Sequence, residues 1–519
     1  MGSGRQPSSA KSRKSHGRGG VWVHLIVLVN FLLVGAAGPV GATETSASGG
    51  KDWRDHVTLT LSDRVRGEFV DWFDPRSKTP SGTAIPEGAE RYNFFANQLR
   101  VGVKLSFPHV LFTLEGQDTR LVNLPDDATW SPNPGTLGPG GLYFLNTRDR
   151  DQGEVFLKQG NLTLSDIPNV TGVSATLGRF EYGDGLETMP ADPALAWLKQ
   201  ARISQRLVGP FGYTHVTRSM DGARVAYDTP DLNVTALGSR PTQGGFEVSA
   251  NKELDIWLAG LALTLKKIEN LAPLDARLFY LYYRDGRDDA VKVDNRPLDL
   301  RKADTRAIGI HTWGAHAVSV VDAGPGKLDG LLWGAVQTGD WGDLDHSGWA
   351  WAVEGGYQVP KLFAQPWLRF GYSRSSGDDD NRNGTHATFF QMLPTARVYA
   401  QFPFFNLMNN QDFFGQLILK PHSKVTVRTD YHWLVLTEKA DQWYSGGGAT
   451  NSTVFGFAGL PTGGQRKLSN LIDVSVTVAI LKQLSAYAYY GHAIGNGVIE
   501  TTFENADADY GYVELAYKY

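Results

Sequence analysis

Apolar and polar side chains alternate one by one in many stretches of the chain. Residues 98–107, 424–433 and 472–478 are examples of this pattern. A period of two is typical of a β-strand with one apolar and one polar face. A soluble sandwich would show it too. Its repetition along 519 residues that include no cysteine favours a closed barrel, which is held by its hydrogen-bond ladders rather than by disulfides.

The composition fits a barrel that is in contact with lipid. After the N-terminal region, the nearest approach to a membrane-spanning helix is residues 258–265, which are far too few to cross a bilayer. The chain nevertheless has 25 Phe, 20 Tyr and 14 Trp, with a mean hydropathy of −0.27. Only alternate residues of a membrane barrel face lipid, so the average hydropathy is diluted in this way.

The first 42 residues have the features of a secretory signal peptide. Basic residues at 5–18 precede an apolar run at 21–37, and small residues stand just before Thr43. An anchoring helix is the alternative, although the run is short for a bilayer span. We predict a signal peptide at residues 1–42 and a barrel at residues 43–519. Five of the 50 basic residues lie in the signal peptide, which leaves 45 against 54 acidic residues and argues against nucleic acid as a partner.

Short turns alternate with long polar connections, as expected of a barrel with short periplasmic turns and long extracellular loops. At roughly 26 residues per strand and connection, the part after the signal peptide accommodates about 18 strands, and 16 would also fit. The short turns are at 107–109, 228–231, 359–361, 420–422 and 481–483, and the long polar stretches include 124–148, 373–386 and 445–467.

The end of the chain strengthens this interpretation. Val513, Leu515, Tyr517 and Tyr519 alternate with polar or small residues, and the last residue is aromatic. This pattern resembles the C-terminal strand by which outer-membrane proteins are recognised for insertion; an ordinary edge strand is the alternative. We therefore predict an all-β, single-chain antiparallel β-barrel in the outer membrane of a Gram-negative bacterium.

If the apolar register faces lipid, the opposite register lines the lumen. Several residues of this lumen-facing register are basic, and they could form a selectivity constriction that attracts an anionic solute. Alternatively, they could pair with lumen acids and satisfy one another. In the first two strands four basic residues face a single inward acid, which favours the first interpretation. The predicted lumen residues are Arg64, Arg66, Arg100, Lys104, Arg224, Arg369 and Arg428, with the acids Glu68, Glu115, Asp430 and Asp473.

Three stretches of the sequence resemble the alginate export family of outer-membrane porins. Their order continues through Asp430-Tyr-His-Trp433 to the aromatic C-terminus, so the resemblance spans nearly the whole chain after the signal peptide. The stretches are Arg64-Val-Arg-Gly-Glu-Phe69 with Asn97-Gln-Leu-Arg-Val-Gly102; Leu177-Gly-Arg-Phe-Glu-Tyr-Gly-Asp184 with Arg218-Ser-Met-Asp-Gly-Ala-Arg-Val225; and Gly371-Tyr-Ser-Arg-Ser-Ser-Gly-Asp378 with Thr388, Phe389, Pro394 and Tyr399.

The resemblance implies a barrel of about 18 strands with an arginine-rich, electropositive constriction that passes an anionic uronate polymer. Arg100, Arg179 and Arg224 lie within the matching motifs and are carried over as lumen residues. Arg179 shares the parity of the apolar Leu177, so it would point into the lumen only past a bulge or at the rim.

One polar loop partly matches a calcium-binding loop. Asp378, Asp379, Asn381 and Asn383 carry suitable oxygens, but Phe390 stands where a bidentate Glu is needed. A solvated loop is therefore expected, and a calcium-binding loop is the alternative. No residue cluster has the spacing of a zinc or catalytic site, and we predict no cofactor.

These observations predict a passive channel for an anionic polysaccharide, alginate-like by resemblance, with outer-membrane lipid around it and periplasmic secretion proteins as further partners. A porin for small organic anions or for general solutes has the same architecture and is the first alternative. An outer-membrane barrel enzyme is the second. It would need a Ser–His pair on the outer face, which the sequence does not offer.

Overall fold

A computed structural model describes residues 53–76, 86–129, 135–267 and 273–519. The predicted signal peptide and its cleavage site lie outside these residues. Eighteen antiparallel strands make up the wall of the barrel. They are β1 (Val57–Asp71), β2 (Arg91–Phe107), β3 (Val110–Val122), β4 (Gln152–Ser165), β5 (Val173–Phe180), β6 (Met220–Asp228), β7 (Leu232–Pro241), β8 (Ile256–Leu265), β9 (Leu274–Asp285), β10 (Ile308–Ala323), β11 (Gly326–Trp341), β12 (Leu344–Gln358), β13 (Trp367–Ser375), β14 (Asn410–His422), β15 (Val425–Leu436), β16 (Lys467–Ala479), β17 (Leu484–Gly495) and β18 (Asp507–Lys518).

The sheet closes on itself. Each strand pairs with its neighbours in sequence, and β1 pairs with both β2 and β18. The closing register runs from Ser62 opposite Lys518 to Asp71 opposite Asp509. A closed barrel has no unpaired edge strand, so the backbone groups of its paired strands are satisfied within the sheet. The predicted all-β barrel of 18 strands is confirmed.

The two faces of the wall differ as the alternation predicts. Apolar side chains such as Leu59, Leu177 and Phe370 are 60–68% exposed on the outside. The alternate residues, many of them polar, are buried on the inside. Among the described residues, none of the helices combines the length and apolar character that a membrane span requires.

The two rims of the barrel differ in the length of their connections. At one end, which we call the short-turn rim, successive strands are joined by two to eight residues, as at 108–109 and 423–424. At the other end, the long-loop rim, most connections are longer, and the tight turn at 342–343 is an exception. Lys420-Pro421-His422, predicted as a turn, belongs instead to the irregular end of β14, where the pairing shifts between Leu419 and His422.

Two connections from the long-loop rim fold back into the barrel. Residues 181–219, between β5 and β6, form the first inner segment, and residues 376–409, between β13 and β14, form the second. Their apolar side chains make up much of the buried core, as Phe211, Phe390 and Leu393 illustrate.

The remaining elements are short. They are the helices Pro139–Thr147, Pro193–Leu198, Leu298–Ala303 and Gly497–Glu500, single helical turns at Trp53–His56, Lys199–Ile203 and Ala396–Val398, and strands at Asp74–Pro75, Thr385–His386, Trp443–Ser445, Ala458–Leu460 and Phe503–Asn505.

Candidate pore interior

The first inner segment crosses the lumen. Arg64 of β1 donates hydrogen bonds to the carbonyl oxygens of Gly212 (2.8 Å) and Thr214 (2.5 Å). Lys199, earlier in the same segment, forms an ion pair of 2.6 Å with Asp275 of β9. Because β1 and β9 stand on opposite sides of an 18-stranded barrel, the segment extends from one wall to the other.

Polar side chains of the wall bind the carbonyl groups of this segment. The oxygen of His215 accepts hydrogen bonds from Gln98 (2.7 Å), Gln117 (2.9 Å) and Thr119 (3.1 Å). Lys158 donates to the oxygen of Arg218 at 2.8 Å. Buried carbonyl groups outside secondary structure require such partners. The inward residues of β2, β3 and β4 therefore hold residues 215–218 in place.

The basic residues predicted in the first two strands meet acids from other elements. Arg66 forms an ion pair of 2.7 Å with Glu514 of β18. Arg100 lies 3.3 Å from Glu181 of the first inner segment and 3.7 Å from Glu115 of β3. Much of the local excess of positive charge inferred from β1 and β2 is therefore neutralised by acids of the adjacent strands and of the first inner segment.

A second group of charges surrounds Glu354 of β12. Its carboxylate accepts hydrogen bonds from Arg202 at 2.7 and 2.9 Å and from Arg206 at 3.1 Å, and Arg369 lies 3.3 Å away. Arg369 also contacts Asp329 of β11 at 3.0 Å. Three guanidinium groups thus share two buried carboxylates. Arg202 and Arg206 were not predicted from the sequence, because the first inner segment shows no strand periodicity.

The other predicted cations differ in their surroundings. Arg428 pairs with Asp430, two residues away on the same face of β15, at 2.6 Å. Lys104 and Arg224 have the inward parity of their strands, and the side chain of neither forms an ion pair or hydrogen bond with any described residue. Lys104 is exposed near the short-turn rim, and Arg224 is partly buried.

Arg179 does not face the interior. It has the outward parity of Leu177, and its cross-strand partner is Asp221, on the face of β6 that carries the exposed Val225. The guanidinium group forms a bidentate pair with Asp221 at 2.6 and 2.7 Å and also donates to the oxygen of Asn251. It therefore joins the wall to a connection of the long-loop rim. The expectation that Arg179 lines the lumen needs this correction.

Two further interior cations lack a carboxylate partner among the described residues. Arg218, in the first inner segment, is 1% exposed; within the described part of the chain its guanidinium group donates one hydrogen bond, to the oxygen of Thr450, and Nε and Nη1 have no partner. Arg397, in the second inner segment, donates to the carbonyl oxygens of residues 402, 403 and 405. Carbonyl groups solvate a guanidinium ion but do not neutralise it.

A row of tyrosines lines the interior face of β17 and β18. The rings of Tyr487, Tyr489, Tyr510 and Tyr512 lie 5.3–5.9 Å from their neighbours in the row. The hydroxyl groups of Tyr487 and Tyr512 both donate to Gln401 of the second inner segment. The sequence signal for this row is a tyrosine at alternate positions in each strand, 487 with 489 and 510 with 512.

The predicted calcium loop uses its side chains to cap backbone groups. Asp378 accepts a hydrogen bond from the amide of Asp380 at 3.1 Å, and Asn383 accepts one from Thr385 at 2.8 Å. Asn381 donates to the oxygen of Asn295, in the neighbouring connection 286–307. Asp379 is an exposed residue of the same turn. These contacts are those of a folded polar loop.

Comparison with known proteins finds one matching family and several solved structures of similar fold. The alginate export family model matches residues 59–508 of the chain. No curated protein matches it. Among solved structures, the chain is similar in fold to OccK9 (OpdG) of Pseudomonas aeruginosa, with a TM-score of 0.55, 11% identity and coverage of 90% of this chain and 99% of that one. OccAB2 of Acinetobacter baumannii gives a TM-score of 0.56, 11% identity and coverage of 90% and 98%.

A further solved structure of similar fold holds a ligand. It is OccK2 (OpdF) of Pseudomonas aeruginosa in complex with glucuronate, with a TM-score of 0.53, 9% identity and coverage of 89% of this chain and 98% of that one.

Proposed function

The chain belongs to the alginate export family, and from that premise we propose that it carries an anionic polysaccharide, an alginate-like polyuronate, through the interior of its barrel. Family and fold make it a channel of the Gram-negative outer membrane. Since the family and the fold are both those of a channel, we propose no catalytic step. Periplasmic secretion proteins would deliver the polymer to the short-turn rim, which in such barrels faces the periplasm.

The observation that carries the proposal is a set of interior cations without carboxylate partners among the described residues: Lys104, Arg224, Arg218 and Arg397. A polyuronate bears a carboxylate on each sugar, so one chain could engage several of these groups in turn. A guanidinium group holds a carboxylate through two parallel hydrogen bonds, yet it can exchange one carboxylate for the next. Spaced binding of this kind favours entry without trapping the polymer.

The tyrosine row supports a sugar as the passenger. Aromatic rings offer apolar faces on which the C–H faces of a sugar ring can pack, and the phenolic hydroxyl groups can exchange hydrogen bonds with sugar hydroxyls. Tyr489, Tyr510 and Tyr512 are at most 5% exposed, because the inner segments cover them. The polymer would therefore reach this row only when those segments move.

A small organic anion is the second candidate substrate. The complex of OccK2 with glucuronate, a single uronate, concerns a protein with the same fold and 9% identity. A monomeric uronate would satisfy one interior guanidinium group just as one unit of a polymer would. The two candidates differ in whether several cations act together on one molecule.

Single-channel recording in a planar bilayer tests the proposal and separates the candidates. Mannuronate oligomers, monomeric glucuronate and a neutral oligosaccharide of matched length are added in turn to the short-turn side. We expect the uronate oligomers to block the current at much lower concentration than the monomer, and the neutral sugar to have no effect. Block by the monomer at equal or lower concentration would favour the small-anion channel. No block by either uronate would exclude both.

A further inference from the structure

Three buried side chains on β15 and β16 form a compact cluster on the inner face of the wall. A ring nitrogen of His432 and carboxylate oxygens of Asp430 and Asp473 all lie within 4.8 Å of one another. The three residues are 1%, 2% and 4% exposed. Asp430 and Asp473 are direct cross-strand partners. We infer that this cluster binds a divalent transition-metal ion, of which zinc is the representative.

The histidine is already oriented as a metal ligand would be. Its Nδ1 atom contacts the carboxylate of Asp412 on β14 at 2.9 and 3.0 Å, whereas Nε2 is buried and has no hydrogen-bond partner among the described residues. In metal sites a carboxylate commonly holds one ring nitrogen of the liganding histidine, which fixes the tautomer and leaves the other nitrogen for the ion. Asp412 therefore acts as a positioning residue for His432.

The charges of the cluster leave room for a cation. Three carboxylates, those of Asp412, Asp430 and Asp473, are buried within it, and among the described residues Arg428 forms an ion pair with one of them, Asp430. Tyr489 donates to Asp473 at 3.2 Å, which solvates that carboxylate without neutralising it. Burying uncompensated charge is costly. With a neutral imidazole, one divalent ion together with Arg428 balances the three negative charges.

A comparable cluster elsewhere in the wall shows what the balanced case looks like. His316 of β10 contacts Asp275 of β9 at 2.8 Å, and both are buried. There the ammonium group of Lys199 lies 2.6 Å from the same carboxylate and supplies the positive charge. The cluster around His432 has the same buried His–Asp contact, but no described lysine or arginine pairs with Asp412, and two further carboxylates lie nearby.

The donor set selects the class of ion. One imidazole nitrogen with two carboxylates suits zinc and its first-row neighbours, whereas calcium and magnesium prefer oxygen ligands throughout. Zinc ligands lie about 2.0–2.2 Å from the ion, so binding would draw the three donor atoms roughly 1 Å closer together. The rings of Phe405 and Phe414, centred 5.8 and 5.9 Å from that of His432, shield the site. Such an ion would exchange slowly and would join β15 to β16.

Metal content and zinc titration of the purified full chain test the inference. The protein is extracted in detergent, stripped with a chelator and titrated with Zn²⁺, with Ca²⁺ in a parallel arm. We expect a single tightly bound zinc ion per chain, a higher unfolding temperature with zinc, and no such effect of calcium. His432→Gln and Asp473→Asn should abolish this binding, and Asp412→Asn should weaken it by about 10–100-fold.

His316→Gln is the matched control, since it removes a buried histidine from a His–Asp pair that has its own lysine; it should bind zinc like the wild type. The inference is overturned if the wild type binds no zinc at micromolar free metal, if His432→Gln and Asp473→Asn bind like the wild type, or if calcium competes equally. Should a variant fail to fold, the unfolding temperature of the wild type decides: no change between zinc and chelator contradicts the site.

Discussion

The role of an inward-facing arginine in this barrel depends on which groups from other parts of the chain contact it. Arg100 and Arg224 illustrate the contrast, since both lie in motifs that resemble the same family and both have inward parity. Arg100 is held between Glu181 and Glu115, whereas Arg224 has no partner among the described residues. A neutralised arginine mainly positions other groups, and a free one contributes its charge to the lumen.

Reversing the charge of Arg224 should therefore change ion selectivity. We expect Arg224→Glu to lower the anion-to-cation permeability ratio severalfold, and Arg224→Gln to lower it less, because a guanidinium charge in the lumen favours anions. The ratio follows from the reversal potential in a salt gradient across a planar bilayer. Arg284→Glu is the matched control, since that arginine is exposed on the outward face of β9. An unchanged ratio in Arg224→Glu would mean that this charge does not act on permeating ions.

Some properties of these residues depend on their neighbours in sequence and are predictable, whereas others depend on residues far away in the sequence and are not. The face on which a strand residue lies follows from alternation with its immediate neighbours, so the inward parity of Arg66 and Arg224 was predictable, and the outward parity of Arg179 was visible beside Leu177. The partner of Arg66 was not, because Glu514 is 448 residues away and meets it only when β18 closes the barrel against β1. Which charges in the lumen are balanced is therefore determined only when the barrel closes and distant strands become neighbours.

At the scale of elements, the wall was predictable and the contents of the lumen were not. Each strand has its own period of two, whereas the two inner segments have no period, and their fold depends on contacts with several strands at once. One signal was available: residues 389–408 include five phenylalanines and two methionines. So apolar a connection between two strands is unsuited to solvent, and it indicates a segment that packs inside the barrel.

Because the first inner segment crosses the lumen, removing it should open the channel. We expect replacement of residues 186–217 by a short Gly/Ser linker to raise the single-channel conductance severalfold, since an emptied barrel of 18 strands leaves an aqueous pore. Asp192→Asn is the comparison variant. It removes the contact of this segment with Lys327 but leaves the segment in place, and its conductance should stay near that of the wild type. Equal conductance of the linker variant and the wild type would show that the segment does not obstruct ion flow.

The contact between the second inner segment and the connection 437–466 should depend on pH. Asp441 accepts hydrogen bonds from Thr388 and Tyr444, both at 2.6 Å, and burial raises the pKa of its carboxyl group from 3.8 to about 6. The pKa in the folded state exceeds the ordinary value, so Asp441 stabilises the contact between the two connections below about pH 4, and this stabilisation is lost as the pH rises through about 6. The free energy of the contact changes by roughly 3 kcal/mol over this range.

Amide hydrogen exchange of residues 376–409 and 437–466 measures this effect, after correction for the intrinsic pH dependence of exchange. We expect stronger protection at pH 4.5 than at pH 7 in the wild type. In Asp441→Asn, which mimics the protonated carboxyl group, protection should depend much less on pH. The interpretation fails if both proteins lose protection to the same extent between these pH values.

At the scale of the whole molecule, net charge and interior charge are separate quantities. The chain has a formal net charge of −4, and its surplus of acidic residues argues against nucleic acid as a partner. The barrel nevertheless encloses basic groups in its lumen that have no carboxylate partner in the described ranges, while the acid-rich cluster around His432 lies against one side of the wall. Low-dielectric walls focus the field of such charges along the lumen, so an ion there responds to its immediate lining rather than to the net charge.

Selectivity should therefore fall as salt rises, because the unpaired lumen charges act through water. The Debye length shrinks from about 10 Å at 0.1 M salt to about 3 Å at 1 M, which is shorter than the half-width of a porin-sized lumen. We expect the anion-to-cation permeability ratio and the block by mannuronate oligomers both to weaken over this range. The double variant Lys104→Gln/Arg224→Gln serves as the control, and its smaller ratio should change much less with salt. A wild-type ratio that stays constant from 0.1 to 1 M would mean that selection arises from contacts too close for salt to screen, such as those with the buried Arg218 and Arg397.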